Sequence, residues 1–132
     1  MPTEPFGVAV DASGKIYVTS ANTLTTYTPT GQPTTPTITG LYGPVGVAVD
    51  RNGKIYIANS GNNTVTTYNP DGAQTNPTIT VGLFTPYFLA IDECGKIYVS
   101  SLSAATVTSY ERNGRRTKPT ISASDIVGVA VP

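Results

Sequence analysis

The chain alternates short apolar runs with polar stretches rich in glycine, proline and asparagine. No stretch keeps an apolar period of 3.6 residues over two turns, which argues against helices. The apolar runs are rich in Val, Ile, Thr and Tyr, which favour strands, whereas the residues between them favour turns. The pattern therefore predicts an all-β chain with essentially no helix.

One sequence unit recurs along the chain. The segment Gly7–Asp11 reappears at Gly46–Asp50, again as Phe88–Asp92 with Phe in place of the first Gly, and finally as Gly128–Val131. Each Asp is followed three residues later by Gly and then by Lys-Ile-Tyr. Repeats of about forty residues indicate arrays of small supersecondary units.

Each unit is predicted to form four strands in an antiparallel meander. Strand one is the Gly-Val-Ala-Val run, and Asp-x-x-Gly forms the hairpin, because the carboxylate can accept backbone N–H bonds and Gly can take positive φ. The predicted second strands are Ile16–Thr19, Ile55–Ala58 and Ile97–Ser100, and the third strand of the middle unit is Thr64–Tyr68. The fourth strands surround Ile38, Ile79 and Ile121.

Strand one is apolar on both faces, so we expect it to be buried on both sides near an axis. Four-stranded antiparallel units with the most apolar strand innermost describe the blades of a β-propeller. The predicted fold is a single partial propeller over residues 1–132, with blade 1 at about 5–43, blade 2 at about 44–85 and blade 3 at about 86–125. Residues 126–132 are predicted to be the first strand of a fourth blade.

The run Pro44–Asn63, PVGVAVDRNGKIYIANSGNN, resembles the NHL repeat. The resemblance covers nearly the whole chain and implies a propeller, usually of six blades in that family. The chain is also similar to the six-bladed gluconolactonase-like and streptogramin-lyase-like propellers. The third unit departs from the pattern at Phe88 and in the loop Ser101–Ala105.

Three blades cannot encircle an axis, because propellers close with about four to eight. Either the chain is a fragment of a longer propeller, or two chains associate head to tail into a homodimeric ring of about six blades. In the second case the extra strand at 126–132 is surplus at each junction unless it swaps with, or covers, the first strand of the neighbour.

The candidate contact surface lies where the loops before strand one meet the loops after strand two. Propellers commonly bind ligands on such a face. The ligand-contact candidates are Tyr42, Asn59, Asn62, Asn63, Tyr87 and Phe88. The partner class stays open among a protein, a glycan and a small molecule.

No residue pattern predicts a catalytic group, a metal site or a cofactor. Asp11, Asp50 and Asp92 are interpreted as turn caps, and Lys15, Lys54 and Lys96 as solvated strand ends. Cys94 is the only cysteine, and it is expected to be exposed and non-catalytic, since no His or other base recurs near it. The basic cluster Arg112–Lys118 lies in a hairpin that needs polar residues anyway, and with zero net charge the chain is not expected to bind nucleic acid.

The sequence thus predicts a non-enzymatic propeller module that acts as a binding or interaction scaffold. The alternative is part of a propeller enzyme, such as a metal-dependent lactonase-like hydrolase or a lyase. No apolar run approaches the length of a membrane helix, and no signal peptide is expected at Met1–Phe6. The localisation is not specified, although the resemblance and the low charge favour an exported or cell-surface microbial protein.

Overall fold

The computed structural model describes residues 5–122, and the predicted extra strand at 126–132 lies outside this range. Twelve strands are present: β1 (Pro5–Val10), β2 (Ile16–Ser20), β3 (Thr23–Tyr27), β4 (Pro33–Ile38), β5 (Pro44–Val49), β6 (Ile55–Asn59), β7 (Thr64–Tyr68), β8 (Gln74–Ile79), β9 (Pro86–Ile91), β10 (Ile97–Ser101), β11 (Thr106–Tyr110) and β12 (Arg116–Ser122). No helix occurs among residues 5–122, so this part of the chain has none that could cross a bilayer.

The strands form three separate four-stranded sheets, which we call blades 1, 2 and 3. Each blade is an antiparallel meander in sequence order, β1–β4, β5–β8 and β9–β12. The predicted all-β propeller architecture is confirmed. The predicted third strand Thr64–Tyr68 matches β7, whereas each second strand runs one residue further than predicted, to Ser20, Asn59 and Ser101.

The turn between the first two strands of each blade is built on its aspartate. In blade 1, Oδ1 of Asp11 accepts the backbone N–H groups of Ser13 and Lys15 at 2.9 and 3.0 Å, and Oδ2 accepts the Tyr17 hydroxyl at 2.9 Å. Gly14 completes the turn at a φ of 89°, which a side chain would resist. Asp50 and Asp92 repeat the same contacts, so the interpretation as turn caps is confirmed.

The repeated lysines lie at solvated strand ends, as predicted, and each also makes a specific contact within its blade. Nζ of Lys15 donates to the Thr35 carbonyl and lies 5.6 Å from the centroid of the Tyr17 ring. Lys54 and Lys96 make the equivalent contacts in blades 2 and 3. Each lysine therefore links the second strand of its blade to the outermost strand, a contact that requires the folded sheet.

The apolar core lies between blades. We call the side of a blade that packs on the following blade its leading face, and the side that packs on the preceding blade its trailing face. Between blades 1 and 2 the leading face contributes Tyr17, Leu24, Ile38 and Leu41, and the trailing face contributes Val47, Ile55, Ile57 and Tyr68. Between blades 2 and 3 the corresponding residues are Tyr56, Ala58, Val65, Ile79 and Leu83 on one side and Leu89, Ile97, Val99 and Tyr110 on the other.

The first strands of the blades adjoin one another, since β1 contacts β5 and β5 contacts β9. Glycine is required at these junctions. A β-carbon on Gly7 would lie 2.0 Å from the Val45 carbonyl oxygen, and one on Gly46 would lie 2.3 Å from that of Tyr87. The crowding predicted for the innermost strands is therefore present.

The prediction that strand one is buried on both faces is confirmed for β5 but is wrong for β1. Val8 is 67% exposed and Val10 is 61% exposed, whereas Val47, at the position equivalent to Val8, is 8% exposed. The physical reason is that no blade within residues 5–122 packs on the trailing face of blade 1, so its apolar side chains meet solvent.

Candidate binding face

The loops that enter the first strands of blades 2 and 3 are fixed by a repeated backbone arrangement. Gly43 and Thr85 both have positive φ, of 57° and 56°, and each precedes a proline that begins a strand. In blade 2 the carbonyls of Tyr42 and Gly43 accept the N–H groups of Gly61 and Ser60 at 2.9 and 3.0 Å. The loop before β5 is thus bound to the loop between β6 and β7.

Blade 3 repeats this arrangement with different side chains. The carbonyls of Phe84 and Thr85 accept the N–H groups of Ser103 and Leu102 at 3.2 and 3.1 Å. The Thr85 and Ser103 hydroxyls also form a hydrogen bond of 2.5 Å. The two loop pairs are therefore equivalent structures in successive blades, and we call their combined surface, residues 39–43, 60–63, 80–85 and 102–105, the loop face.

Hydrogen bonds across the blades hold the loop face together. Oδ1 of Asn63 in blade 2 accepts the N–H group of Thr85 at 2.9 Å. The Ser60 hydroxyl donates to the Pro86 carbonyl. The blade 2 loop is consequently bonded both to the loop that carries Tyr42 and to the loop that carries Phe84, so the loop face is one connected surface.

The predicted contact residues divide between this surface and its edge. Tyr42 is 62% exposed, and Asn62 and Asn63 are also exposed. Tyr87 and Phe88 are half-buried at the start of β9, where their rings pack edge to face with centroids 5.3 Å apart. The structure therefore brings Tyr42, Asn62 and Asn63 to the loop face and places the aromatic pair beside it.

Asn59 occupies a different position, because it is the last residue of β6 and only 1% exposed. Its amide nitrogen donates to the hydroxyls of Thr64 and Thr66 at 3.3 and 2.9 Å. Its Oδ1 is buried and has no hydrogen-bond partner among residues 5–122. Asn59 thus joins the end of β6 to the start of β7 beneath the loop that connects them.

Sequence reasoning missed Phe84, which is 55% exposed and lies in the position equivalent to Tyr42. The signal was available, because each aromatic follows a leucine and stands two residues before the proline that opens the next strand. Leu41 and Leu83 are buried in the inter-blade cores and so anchor each loop next to its exposed ring.

Charged residues are segregated from the loop face. Within residues 5–122, every charged residue lies in a turn joining strands one and two, in a turn joining strands three and four, or in the first three residues of β12: Asp11, Lys15, Asp50, Arg51, Lys54, Asp71, Asp92, Glu93, Lys96, Glu111, Arg112, Arg115, Arg116 and Lys118. The loop face contains none. The loop face is therefore formed by neutral residues, with the Arg116 guanidinium at its border beside Gly82.

Charged turns line a cleft of about 630 Å³ between blades 2 and 3, with Asp50, Asp92 and Arg112 among the lining residues. Both aspartates have their carboxylates engaged in turns, and the Arg112 guanidinium donates to the Cys94 carbonyl at 2.7 Å. Cys94 is exposed, as expected. No group of three His, Cys, Asp or Glu residues within residues 5–122 is arranged to hold a metal ion.

The turn contacts shift the ionisation of the groups they join. Burial raises the pKa of Tyr17 to about 12, with further contributions from its hydrogen bond to Asp11 and from the charge of that carboxylate. Burial, followed by the Asp50 charge, also raises the pKa of Tyr56. Desolvation raises the pKa of Asp11, but the hydrogen bonds from Ser13, Tyr17 and Lys15 outweigh it, so the net pKa is lowered. These shifts are typical of structural turns.

Comparison with solved structures places the chain among β-propellers. It is similar to a streptogramin B lyase, with a TM-score of 0.75 and 18% identity over 93% of this chain and 42% of the other. A chain of a nidogen/laminin complex gives a TM-score of 0.76 and 22% identity over 87% and 47%. A gluconolactonase of Xanthomonas campestris gives 0.74 and 17% over 94% and 49%. The chain spans less than half the length of each.

The repeat itself is recognised within this fold. The NHL repeat family matches residues 41–68, which comprise β5, β6 and β7 with the loops that lead into and join them. The resemblance seen in the sequence is confirmed for the second unit, and the protein is a partial β-propeller whose second blade is similar to the NHL repeat. A search of curated protein sequences found no match.

Proposed function

We propose that this protein is a non-enzymatic propeller module that associates with a second copy of itself and presents the loop face to a binding partner. The observation that carries self-association is the exposure of β1. Val8 and Val10 are exposed at positions where β5 and β9 pack against a preceding blade. Apolar sheet faces of this kind usually mark an interaction surface.

The trailing face of blade 1 has the same composition as the trailing faces that the chain buries. Val8 pairs with Val18 in the sheet, just as Val47 pairs with Ile57 and Leu89 pairs with Val99. Val47 and Leu89 are 8% and 7% exposed, against 67% for Val8. Because burying a valine side chain is worth about 1.5 to 3 kcal/mol, this face gains considerably when a blade covers it.

The leading face of blade 3 is exposed chiefly at its outermost strand. Ile121 is 49% exposed, whereas the equivalent Ile38 and Ile79 in β4 and β8 are 6% and 1% exposed. Val107, which pairs with Ile121 on the same face, is only 5% exposed, so the inner part of this face is buried. In a head-to-tail pair of about six blades, a closed heterologous assembly, a second copy would cover the trailing face of blade 1 and the exposed β12.

The closing junction must differ from the internal ones at its inner edge. Gly7 and Gly46 let the next blade approach their backbones, but the equivalent residue of blade 3 is Phe88. A ring at this position requires the neighbouring first strand to stand further from the axis than within the chain. The Phe88→Gly substitution is therefore expected to strengthen association.

Light scattering of the purified chain tests self-association, with a mass of two chains expected. Val8→Lys should yield a single-chain mass, because the charge would be buried in the junction. The matched control is Val81→Lys, since Val81 is 54% exposed but lies on the loop face, outside both sheet faces. A single-chain mass for the unmodified protein, or the same mass change in both variants, would overturn the proposed pairing.

The enzyme alternative draws on the streptogramin lyase and the gluconolactonase among the similar structures. Calorimetric titration with Ca²⁺ and with Zn²⁺ separates the two functions. The scaffold predicts no stoichiometric binding of either ion. Tight stoichiometric binding would contradict the scaffold and favour a metal-dependent propeller enzyme.

A further inference from the structure

Two exposed aromatic rings stand at equivalent positions of successive blades. Tyr42 is 62% exposed and Phe84 is 55% exposed, although large aromatic side chains are generally well buried. Each follows a buried leucine in the same loop. Neither ring is needed to fill an inter-blade core, so their repeated exposure is not accounted for by packing.

The loops present these rings on a rigid surface. The backbone carbonyl of Tyr42 is bonded to Gly61, and the N–H group of Thr85, next to Phe84, is bonded to Asn63. Because Gly61 and Asn63 are two residues apart, the Tyr42 carbonyl and the Thr85 nitrogen are separated by at most roughly 17 Å. Both rings can therefore contact one extended ligand with little loss of conformational entropy on binding.

The polar groups between the rings are neutral donors and acceptors. The side-chain oxygens of Asn62 and Asn63 accept hydrogen bonds from the Thr64 hydroxyl and the Thr85 N–H group. Both amide groups are exposed, so their NH₂ donors can face solvent. The Ser103 hydroxyl is hydrogen-bonded to that of Thr85. An isolated ring flanked by amides and hydroxyls differs from the apolar centre of a protein interface, where aromatics are accompanied by Met and Arg.

The low charge of the loop face narrows the class of ligand further. The residues of the loop face supply no lysine or arginine to pair with an anion and no carboxylate to pair with a cation, and the Arg116 guanidinium beside Gly82 places a single cation at the border of the face. Nucleic acids and anionic sugars are therefore poor matches. A neutral sugar fits, because its ring has an apolar C–H face for an aromatic ring and a rim of hydroxyls for amides.

We propose that the loop face binds a neutral oligosaccharide, with Tyr42 and Phe84 stacking on sugar rings and Asn62, Asn63 and Ser103 hydrogen-bonding to sugar hydroxyls. The inference rests on the proposed binding role of this face and does not depend on ring closure. It gives Tyr42, Asn62 and Asn63 a role in binding the sugar and adds Phe84, whose ring is the counterpart of Tyr42 in the next blade.

The experiment is an array of neutral glycans built from hexoses, pentoses and N-acetylhexosamines, with sialylated and uronate-containing glycans as anionic controls. Binding to one or more neutral glycans is expected, and the tightest is then titrated by calorimetry. Tyr42→Ala and Phe84→Ala should each weaken binding by about tenfold. Tyr42→Phe keeps the ring and should retain most of the affinity, and Val81→Thr is the control for an exposed apolar residue of the same face.

Phe84→Leu separates a glycan from an apolar protein partner, because leucine keeps apolar area but has no aromatic face. A glycan requires Phe84→Leu to lose as much affinity as Phe84→Ala. No binding to any neutral glycan, stronger binding to the anionic set, or full affinity in Phe84→Leu would overturn the inference. A two-chain mass without glycan binding would overturn the proposed glycan binding and leave the proposed self-association standing. A single-chain mass with glycan binding would overturn the self-association and leave the glycan binding standing.

Discussion

The close approach of the innermost strands makes Gly46→Ala a direct test of the junction between blades 2 and 3. The added β-carbon would lie 2.3 Å from the Tyr87 carbonyl oxygen and 3.0 Å from the α-carbon of Phe88. Because non-bonded carbons pack at about 3.5 to 4.0 Å from their neighbours, the two first strands must separate by roughly 1 Å. Both opposing atoms belong to the backbone, so no change of side-chain rotamer can relieve the clash.

The expected cost follows from this geometry. Overpacking a well-packed interior costs about 1 to 3 kcal/mol, and the absence of rotamer relief places Gly46→Ala at the upper end, about 2 to 3 kcal/mol. At an m-value of about 2 kcal/mol per M, the urea midpoint should fall by about 1 M or slightly more. Far-UV circular dichroism is a suitable readout, since the chain has no tryptophan.

Gly31→Ala is the matched control, because a β-carbon there meets no atom within 4 Å. Its cost comes only from the φ of 90°, about 1 kcal/mol. The close packing of the first strands would be refuted if the free energy of unfolding of Gly46→Ala lay within about 0.5 kcal/mol of that of the unmodified protein. It would also be refuted if Gly46→Ala were no less stable than Gly31→Ala.

Two further predictions concern polar contacts. Thr19 is fully buried, donates to the Val45 carbonyl across the first junction at 2.8 Å and accepts the Gly7 N–H group. Thr19→Val should therefore lower the free energy of unfolding by about 1 to 3 kcal/mol. Thr37→Val, at an exposed position, is the control, and an equal loss of stability in this variant would contradict the prediction. The Tyr17 pKa of about 12 exceeds the unfolded value near 10, so the folded state keeps this proton to higher pH. The free energy of unfolding should therefore fall as pH rises from about 10 to about 12. Urea titrations across this range should show a shallower fall in Tyr17→Phe, and the same pH dependence in the variant and the unmodified protein would count against the raised pKa.

The architecture was predictable because its determinants are local and repeated. An Asp-x-x-Gly step followed by Lys-Ile-Tyr specifies the same hairpin wherever it occurs, as the identical contacts of Asp11, Asp50 and Asp92 show. Burial depends instead on what lies next to a strand. The sequence of β1 is nearly that of β5, yet its valines are exposed because no preceding blade covers them within residues 5–122.

The candidate site was predictable only in part. Tyr42, Asn62 and Asn63 lie on the loop face. Their exposure could be predicted, because glycine and asparagine around them indicate loops. Asn59 is the exception, because β6 runs one residue further than predicted and Asn59 is therefore paired in the sheet with Thr64 instead of exposed in the loop. The lysine contacts could not be predicted, because they join strands twenty or more residues apart.

The polar contacts of each lysine, aspartate and tyrosine close within a single blade. Asp11, Lys15 and Tyr17 satisfy one another and the Thr35 carbonyl without any group from blade 2. Duplication or deletion of one unit would therefore leave this aspartate, lysine and tyrosine paired, and would alter the apolar inter-blade cores together with the hydrogen bonds that cross them, such as that from Thr19 to the Val45 carbonyl. The number of units can therefore change during evolution, provided that the exposed faces of the two terminal blades are buried against another blade.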